Sequence, residues 1–252
     1  MTIRTLVAAT GAFTLLFSGT TALLSGTASA YPIQGAPELT HNPLYKKGRL
    51  PEVSCKAVKG TTEASAKKYI TKIFSCLDTA WKKTWDDFTP AEVSINKTVE
   101  SELCSGLKIA GSFAVPCYGG IQVQLRSDWI KAKSDLAVLL QLTRAYSRRV
   151  QGHTGISETW WALPNSGIEA ETDEQTHRFY LQADCLTGVS MKALGRSAKD
   201  WKPLLDAETP PEYDRFDWDG KPANRLYWFK KGYASGGPGA CNTWKAASAK
   251  VA

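Results

Sequence analysis

The chain has 252 residues, 43% of them hydrophobic, with 31 Lys and Arg against 24 Asp and Glu and a formal charge of +7. That length supports one domain with a proper core. The basic excess is scattered, with one small cluster at Lys46, Lys47 and Arg49 and another at Lys67, Lys68, Lys82 and Lys83. No nucleic-acid-binding motif accompanies it, so it reads as a solvated surface or as a face for anionic cell-wall polymer.

Residues 1–30 read as a secretory signal peptide. Arg4 starts it, an apolar run continues from Leu6 to Leu24, and Ala28-Ser-Ala30 fits the cleavage pattern, with cleavage after Ala30. Thr10, Gly11, Ser18, Gly19, Thr20 and Thr21 interrupt the run and argue against a membrane anchor, and no later stretch is apolar enough to span a bilayer. Secretion into an oxidising compartment makes the six Cys candidates for three disulfides. Counting alone leaves their pairing open. There is no CxxC, so a zinc knuckle or a thioredoxin-like site has no support.

Residues 31–50, rich in Pro, Gly, Asn and Lys, read as an extended, flexible lead-in to a domain over 51–247. Residues 61–85 predict an amphipathic helix, with Ile70, Ile73, Phe74, Leu77, Trp81 and Trp85 at helical spacing. Phe88-Thr-Pro90 breaks it. Alternation predicts a strand over 93–99, and further strands over 107–115 and 121–125, with Pro116 and Gly119-Gly120 turning the chain between them. Asn96-Lys-Thr98 is a glycosylation sequon. Ser127 or Asp128 is a candidate cap, and a helix is predicted over 135–150, ended by Gly152. Residues 157–168, with Trp160-Trp161 and Pro164, take no firm assignment. A long helix is predicted over 169–194, its start carrying Glu169, Glu171, Asp173 and Glu174, which suit a helix N-terminus. Residues 201–222 read as a polar surface excursion. A short helix over 223–233 precedes the hard stop Gly236-Gly-Pro-Gly239. The class is α+β.

The candidate chemistry lies on the two long helices. The first carries LAVLLQLTRAYSRRVQ over 136–151, the second RFYLQADCLTGV over 178–189. Arg144 and Arg148 are four apart, as are Tyr180 and Asp184, so each pair shares one helical face. The frame Arg144-Ala-Tyr-Ser-Arg-Arg-Val-Gln151 resembles the HEYGHHVQ stretch of the neutral zinc metallopeptidase family, secreted bacterial proteins of zincin-like fold. Tyr180-Leu-Gln-Ala-Asp-Cys185 resembles that family's ELQADC, and RLYWFKKGYASGGPGACNTW, over 225–244, resembles its end. The likeness runs in separated blocks from Leu50 to Trp244.

The resemblance implies a zincin-like fold with two site helices, a small sheet and three disulfides paired sequentially: Cys55–Cys76, Cys104–Cys117 and Cys185–Cys241. It also implies a strand that lines the cleft and pairs with peptide backbone. The chemistry departs from the family. Both His positions are Arg144 and Arg148, the general-base Glu is Ala145, and the third ligand Glu is Tyr180. Guanidinium offers a metal no lone pair, and phenol ionises near pH 10. No cofactor is therefore expected where the family holds zinc. Asp184 is kept; in the family it steadies a ligand His, and here it is expected to pair with Arg144, the alternative being that both Arg reach solvent. A relocated metal site from His153, His177 and Asp184 is a further alternative. Ser147 has no GxSxG context and no activating partner in the sequence. The expected function is a secreted, catalytically inactive pseudopeptidase that binds peptide or protein in the former cleft. The rivals are an active peptidase with a relocated metal, and a cell-envelope binding protein using basic surface and exposed Trp160 and Trp161.

Overall fold

The structure, a computed structural model, describes residues 33, 35–85, 87–100, 104, 110–117, 119–197, 199, 201–207 and 218–252. The expected signal peptide over 1–30 and the expected strand start at 107–109 lie outside the described residues. The fold is α+β, mostly helical, with a three-stranded sheet.

The segment expected as an extended lead-in is instead built into the body. It forms helix α1 (Pro37–Thr40) and a 310 turn (Pro43–Lys46), and Leu39 and Leu44 are fully buried. Polar bonds help hold it: Asn42 Nδ2 donates to the Thr154 carbonyl at 2.9 Å, Gln182 Nε2 to the Tyr45 hydroxyl at 2.7 Å, and Asn242 Nδ2 to the Thr40 carbonyl at 2.9 Å. Pro and Gly content signals the turns but not the two leucines that anchor them.

Helix α2 (Glu63–Lys82) starts at a capping box. Thr62 Oγ1 accepts from the Ser65 N–H, and Ser65 Oγ accepts from the Thr62 N–H. Its apolar stripe is buried from Ile70 through Trp81, while Trp85 lies past its end, partly buried under Lys47 Nζ at 4.5 Å. Strands β1 (Val93–Asn96), β2 (Phe113–Cys117) and β3 (Gly120–Gln124) form a sheet of order β1-β3-β2. β1 runs parallel to β3, Val93 opposite Ile121; β2 runs antiparallel to it, Val115 opposite Gln122. β1 ends three residues sooner than expected. Pro116 sits inside β2 and does not turn the chain; β2 is an edge strand, where a missing N–H is tolerated. The turn falls at Gly119, whose φ of 82° suits glycine.

The remaining helices are α3 (Ser127–Lys131), α4 (Leu136–His153), α5 (Ile156–Trp161), α6 (Glu169–Ala193), α7 (Trp201–Ala207) and α8 (Pro222–Ser235). Ser127 and Asp128 do not cap: they lie inside α3, and Asp128 Oδ2 accepts from the Ser112 N–H at 3.0 Å. Gly152 does not end α4, which runs one residue further. Part of the expected surface excursion packs inward, since Trp201 and Leu205 of α7 are buried.

Helix α4 lies between α6 and the sheet, with α2 and α5 also against it. Helix α6 is buried on nearly every side, from Phe179 through Met191 with Tyr180 half-buried, so it is the centre of the molecule and not an amphipathic surface helix. It meets α8 at very close range. A Cβ on Gly188 would overlap the Phe229 carbonyl, and one on Gly232 would overlap the Cys185 carbonyl. Glycine at both positions lets the two backbones touch. The disulfide Cys185–Cys241 ties α6 to the C-terminal segment beside this crossing, with Cα atoms 5.4 Å apart; Cys55–Cys76 and Cys104–Cys117 form the other two bridges. The pairing is the sequential one.

Replacing Gly232 by Ala forces the crossing apart. Overpacking a tight core costs about 3 kcal/mol, which in a domain of this size lowers Tm by roughly 6–12 °C. Calorimetry of Gly232→Ala checks this, and a change under about 2 °C contradicts a helix contact this close.

Candidate functional site

The two long helices do face each other, and the residues that match the family frame make the contacts. Gln151 of α4 donates from Nε2 to the Phe179 carbonyl at 2.9 Å and to Gln182 Oε1 at 2.8 Å. Gln182 in turn donates to the Cys241 carbonyl at 3.2 Å. One turn back along α4, Ser147 Oγ lies 3.2 Å from Thr187 Oγ1, both buried. Ser147 is thus spent on helix contact, and its hydroxyl also donates to the Thr143 carbonyl.

One turn further, Arg144 reaches Asp184. Its Nε lies 3.0 Å from Asp184 Oδ1, a close ion pair bent too far for a hydrogen bond. Asp184 is fully buried, and its other oxygen accepts from Arg225 Nε of α8 at 3.1 Å. A second carboxylate, Asp219, closes the ring. Arg144 Nη1 donates to Asp219 Oδ2 at 3.3 Å and Arg144 Nη2 donates to Asp219 Oδ1, while Arg225 Nη1 sits 3.7 Å from Asp219 Oδ2. Arg225 also donates to the Leu205 carbonyl at 2.5 Å. Two guanidinium groups and two carboxylates alternate, so each buried charge has opposite charge on both sides. Burial works to raise the Asp219 pKa, but Arg144, Arg225 and Arg148 outweigh it and hold the carboxyl below its usual range.

Arg148 takes another route. Its guanidinium carbon lies 5.1 Å from the Tyr180 ring centroid and 5.9 Å from that of Phe179. Tyr180 stacks on Trp218, centroids 5.9 Å apart and planes 18° apart, and meets the edge of Trp160. The space framed by Arg144, Arg148 and Tyr180 is therefore filled by ion pairs and stacked rings.

These residues do not fit a zinc ion. Zinc takes lone pairs from His, Cys or carboxylate. Arg144 and Arg148 have none to give, Asp184 is held by two guanidinium groups, and Ala145 has no group to take a proton from water. The alternative donors stay apart. His153 packs edge-on against Phe88 at 4.8 Å and Trp85 at 5.8 Å, and His177 packs against Gly220. Burial first, then Arg149, lowers the His153 pKa below 6.5, with Asp87 opposing. Among the described residues no three His, Cys, Asp or Glu gather as a metal site.

Beside this centre lies a cavity of about 540 Å³, walled by Pro116 and Cys117 of β2, Arg148 and Arg149 of α4, Glu158 and Trp161 of α5, and Phe179. The two tryptophans expected on the surface separate here. Trp160 is half-buried and stacks on Phe179 at 4.1 Å with planes 8° apart, whereas Trp161 is 77% exposed.

Two members of the ring, Arg225 and Asp219, are not among the residues that the sequence singles out. Arg225 has a signal: it opens the last block of family likeness and sits on a helix whose neighbours Trp228 and Phe229 are apolar. Asp219 has none, since it stands in a polar turn before Gly220.

Fold and site define a disulfide-bonded α+β protein whose facing helices enclose a buried ring of two arginines and two aspartates. The chain is 26% identical over 208 residues to the uncharacterized protein YpfJ of Escherichia coli (strain K12), covering 72% of each chain, and the same figures hold for YpfJ of Escherichia coli O6:H1. No protein-family model matches the chain, and no solved structure matches it.

Asp219→Asn leaves Arg144 and Arg225 short of a counter-charge, at a cost of about 3 kcal/mol. The pH dependence has a definite sign. A carboxyl whose folded pKa is depressed stabilises fully above the unfolded value, near 3.9, and loses that contribution as pH falls below it toward the folded pKa. Denaturant unfolding from pH 7 to pH 2 should show the gap between wild type and Asp219→Asn shrinking below about pH 4. A gap independent of pH contradicts the ring.

Proposed function

We propose that the chain is a secreted, zincin-like relative of the neutral zinc metallopeptidases that has lost peptide hydrolysis and binds a peptide or protein segment in its cleft. The observation that carries this reading is the Arg144–Asp184 pair, 3.0 Å apart. In the family frame these are the positions of a ligand His and the Asp that steadies it. Here a guanidinium supplies fixed positive charge beside the carboxylate, so the two helices keep their electrostatic match without an ion.

Three further points support it. Gln151, Gln182, Asp184 and Cys185, the residues that match the family frame, all make contacts joining α6 to its neighbours. The cavity touches Pro116 and Cys117 at the end of β2, an edge strand among the described residues, where a peptide could approach the sheet. The signal-peptide pattern and three disulfides suit secretion, and among the described residues no helix is long and apolar enough to cross a membrane. At the positions of the family frame, Arg144, Arg148 and Tyr180 are poor metal ligands and Ala145 is no base, which supports the loss of hydrolysis.

Purified protein, incubated with zinc and dialysed, should retain far less than one zinc per chain and leave a mixed peptide library uncut. Stoichiometric zinc together with cleavage that a chelator stops overturns the reading.

A further inference from the structure

Arg148 differs from the other well-buried arginines. Arg144, Arg178 and Arg225 each sit on a carboxylate, and the more open Arg196 holds Asp135. Arg148 is half-buried on the cavity wall, and among the described residues no carboxylate lies within ion-pair distance of it; its Nε is buried without a hydrogen-bond partner. Tyr180 and Phe179 engage the flat face of the guanidinium, which leaves its edge N–H groups for a ligand. Arg148 adds charge beside Asp219 at longer range but makes no ion pair with it, so this partly dehydrated guanidinium keeps a contact position that an incoming anion can fill.

The rest of the cavity narrows the ligand. Arg149 stands next to Arg148, held by its Nε to the Gly119 carbonyl at 3.0 Å. Among the described lining residues Glu158 is the single carboxylate, and it is exposed. Burial and Arg149 hold the His153 pKa down against the pull of Asp87, which favours the neutral ring. Trp161, Phe179 and Pro116 give the wall its apolar surface. A volume of about 540 Å³ suits a few residues of peptide and falls within the ~300–1,000 Å³ of small-ligand pockets.

We propose that this cavity binds a peptide through a carboxylate seated on the edge of Arg148, with an apolar side chain against Trp161. The inference rests on the peptide-binding reading above and names the ligand chemistry of that same cleft. The carboxylate belongs either to a free C-terminus or to an acidic side chain. Arg148 donates two parallel N–H bonds to it, and Arg149 adds positive field.

Calorimetric titration of the full secreted protein with three peptides tests this: acetyl-Ala-Ala-Phe as the free acid, the same peptide amidated, and amidated acetyl-Glu-Ala-Phe. Either carboxylate peptide should bind roughly tenfold or more tighter than the neutral amide, and which one does so identifies the source of the carboxylate. Arg148→Gln should abolish that preference with Tm little changed, and Arg148→Lys should restore part of it. Trp161→Ala, at an exposed position, should weaken every peptide alike while keeping the preference. Equal binding of all three peptides overturns the carboxylate seat and leaves peptide binding standing. Binding of none overturns both, as does binding of polyphosphate alone.

Discussion

A single buried carboxylate, Asp184, is shared by two guanidinium groups that come from different helices. Arg144 approaches one oxygen from α4 and Arg225 the other from α8. Asp184 belongs to α6, the helix around which the molecule is packed, so the three helices meet at one charge. An isolated carboxylate at that depth would cost several kcal/mol, and so would either arginine. Each is tolerable only with the others in place, which fixes the angle and register of α4 and α8 on α6. Asp219 then shields the arginines on their outer side and draws the turn at Trp218–Gly220 over the site.

On the reading proposed above, the same geometry lets the two helices keep their match without a metal ion. A metal ion in such a frame neutralises the carboxylate behind its ligands. Arg144 supplies that charge covalently and holds it at every pH a protein meets. The stack of Arg148, Tyr180 and Trp218 packs into the space beside the Arg144–Asp184 pair. The close backbone contact at Gly188 and Gly232 and the bridge from Cys185 to Cys241 hold the crossing of α6 and α8 independently of the ring. Function on this account moves outward, from the filled centre to the cavity beside it.

Much of this is legible in the sequence. The long helices announce themselves by periodicity, and α6 begins at the expected Glu169 and ends one residue early. The pairing of Arg144 with Asp184 comes from the family frame. What the sequence conceals is contact between distant segments. Leu39 and Leu44 carry no periodic pattern, so their burial under the C-terminal segment leaves residues 36–50 looking like a lead-in. Pro116 looks like a turn because proline breaks ladders, yet an edge strand has one side without a ladder to break. Asp219 cannot be placed from its neighbours, since a polar turn residue looks the same whether it meets water or two arginines. That no described carboxylate pairs with Arg148 is likewise a property of its surroundings and not of its own segment.

The most direct test restores the family pattern by Arg144→His, Ala145→Glu, Arg148→His and Tyr180→Glu in one chain, then measures zinc bound after dialysis. If α4 and α6 hold a metal-site geometry with guanidinium in place of the ion, the folded fourfold variant takes up one zinc per chain where the parent takes up almost none. A variant that folds, by circular dichroism and a cooperative melt, yet binds no more zinc than the parent contradicts the account.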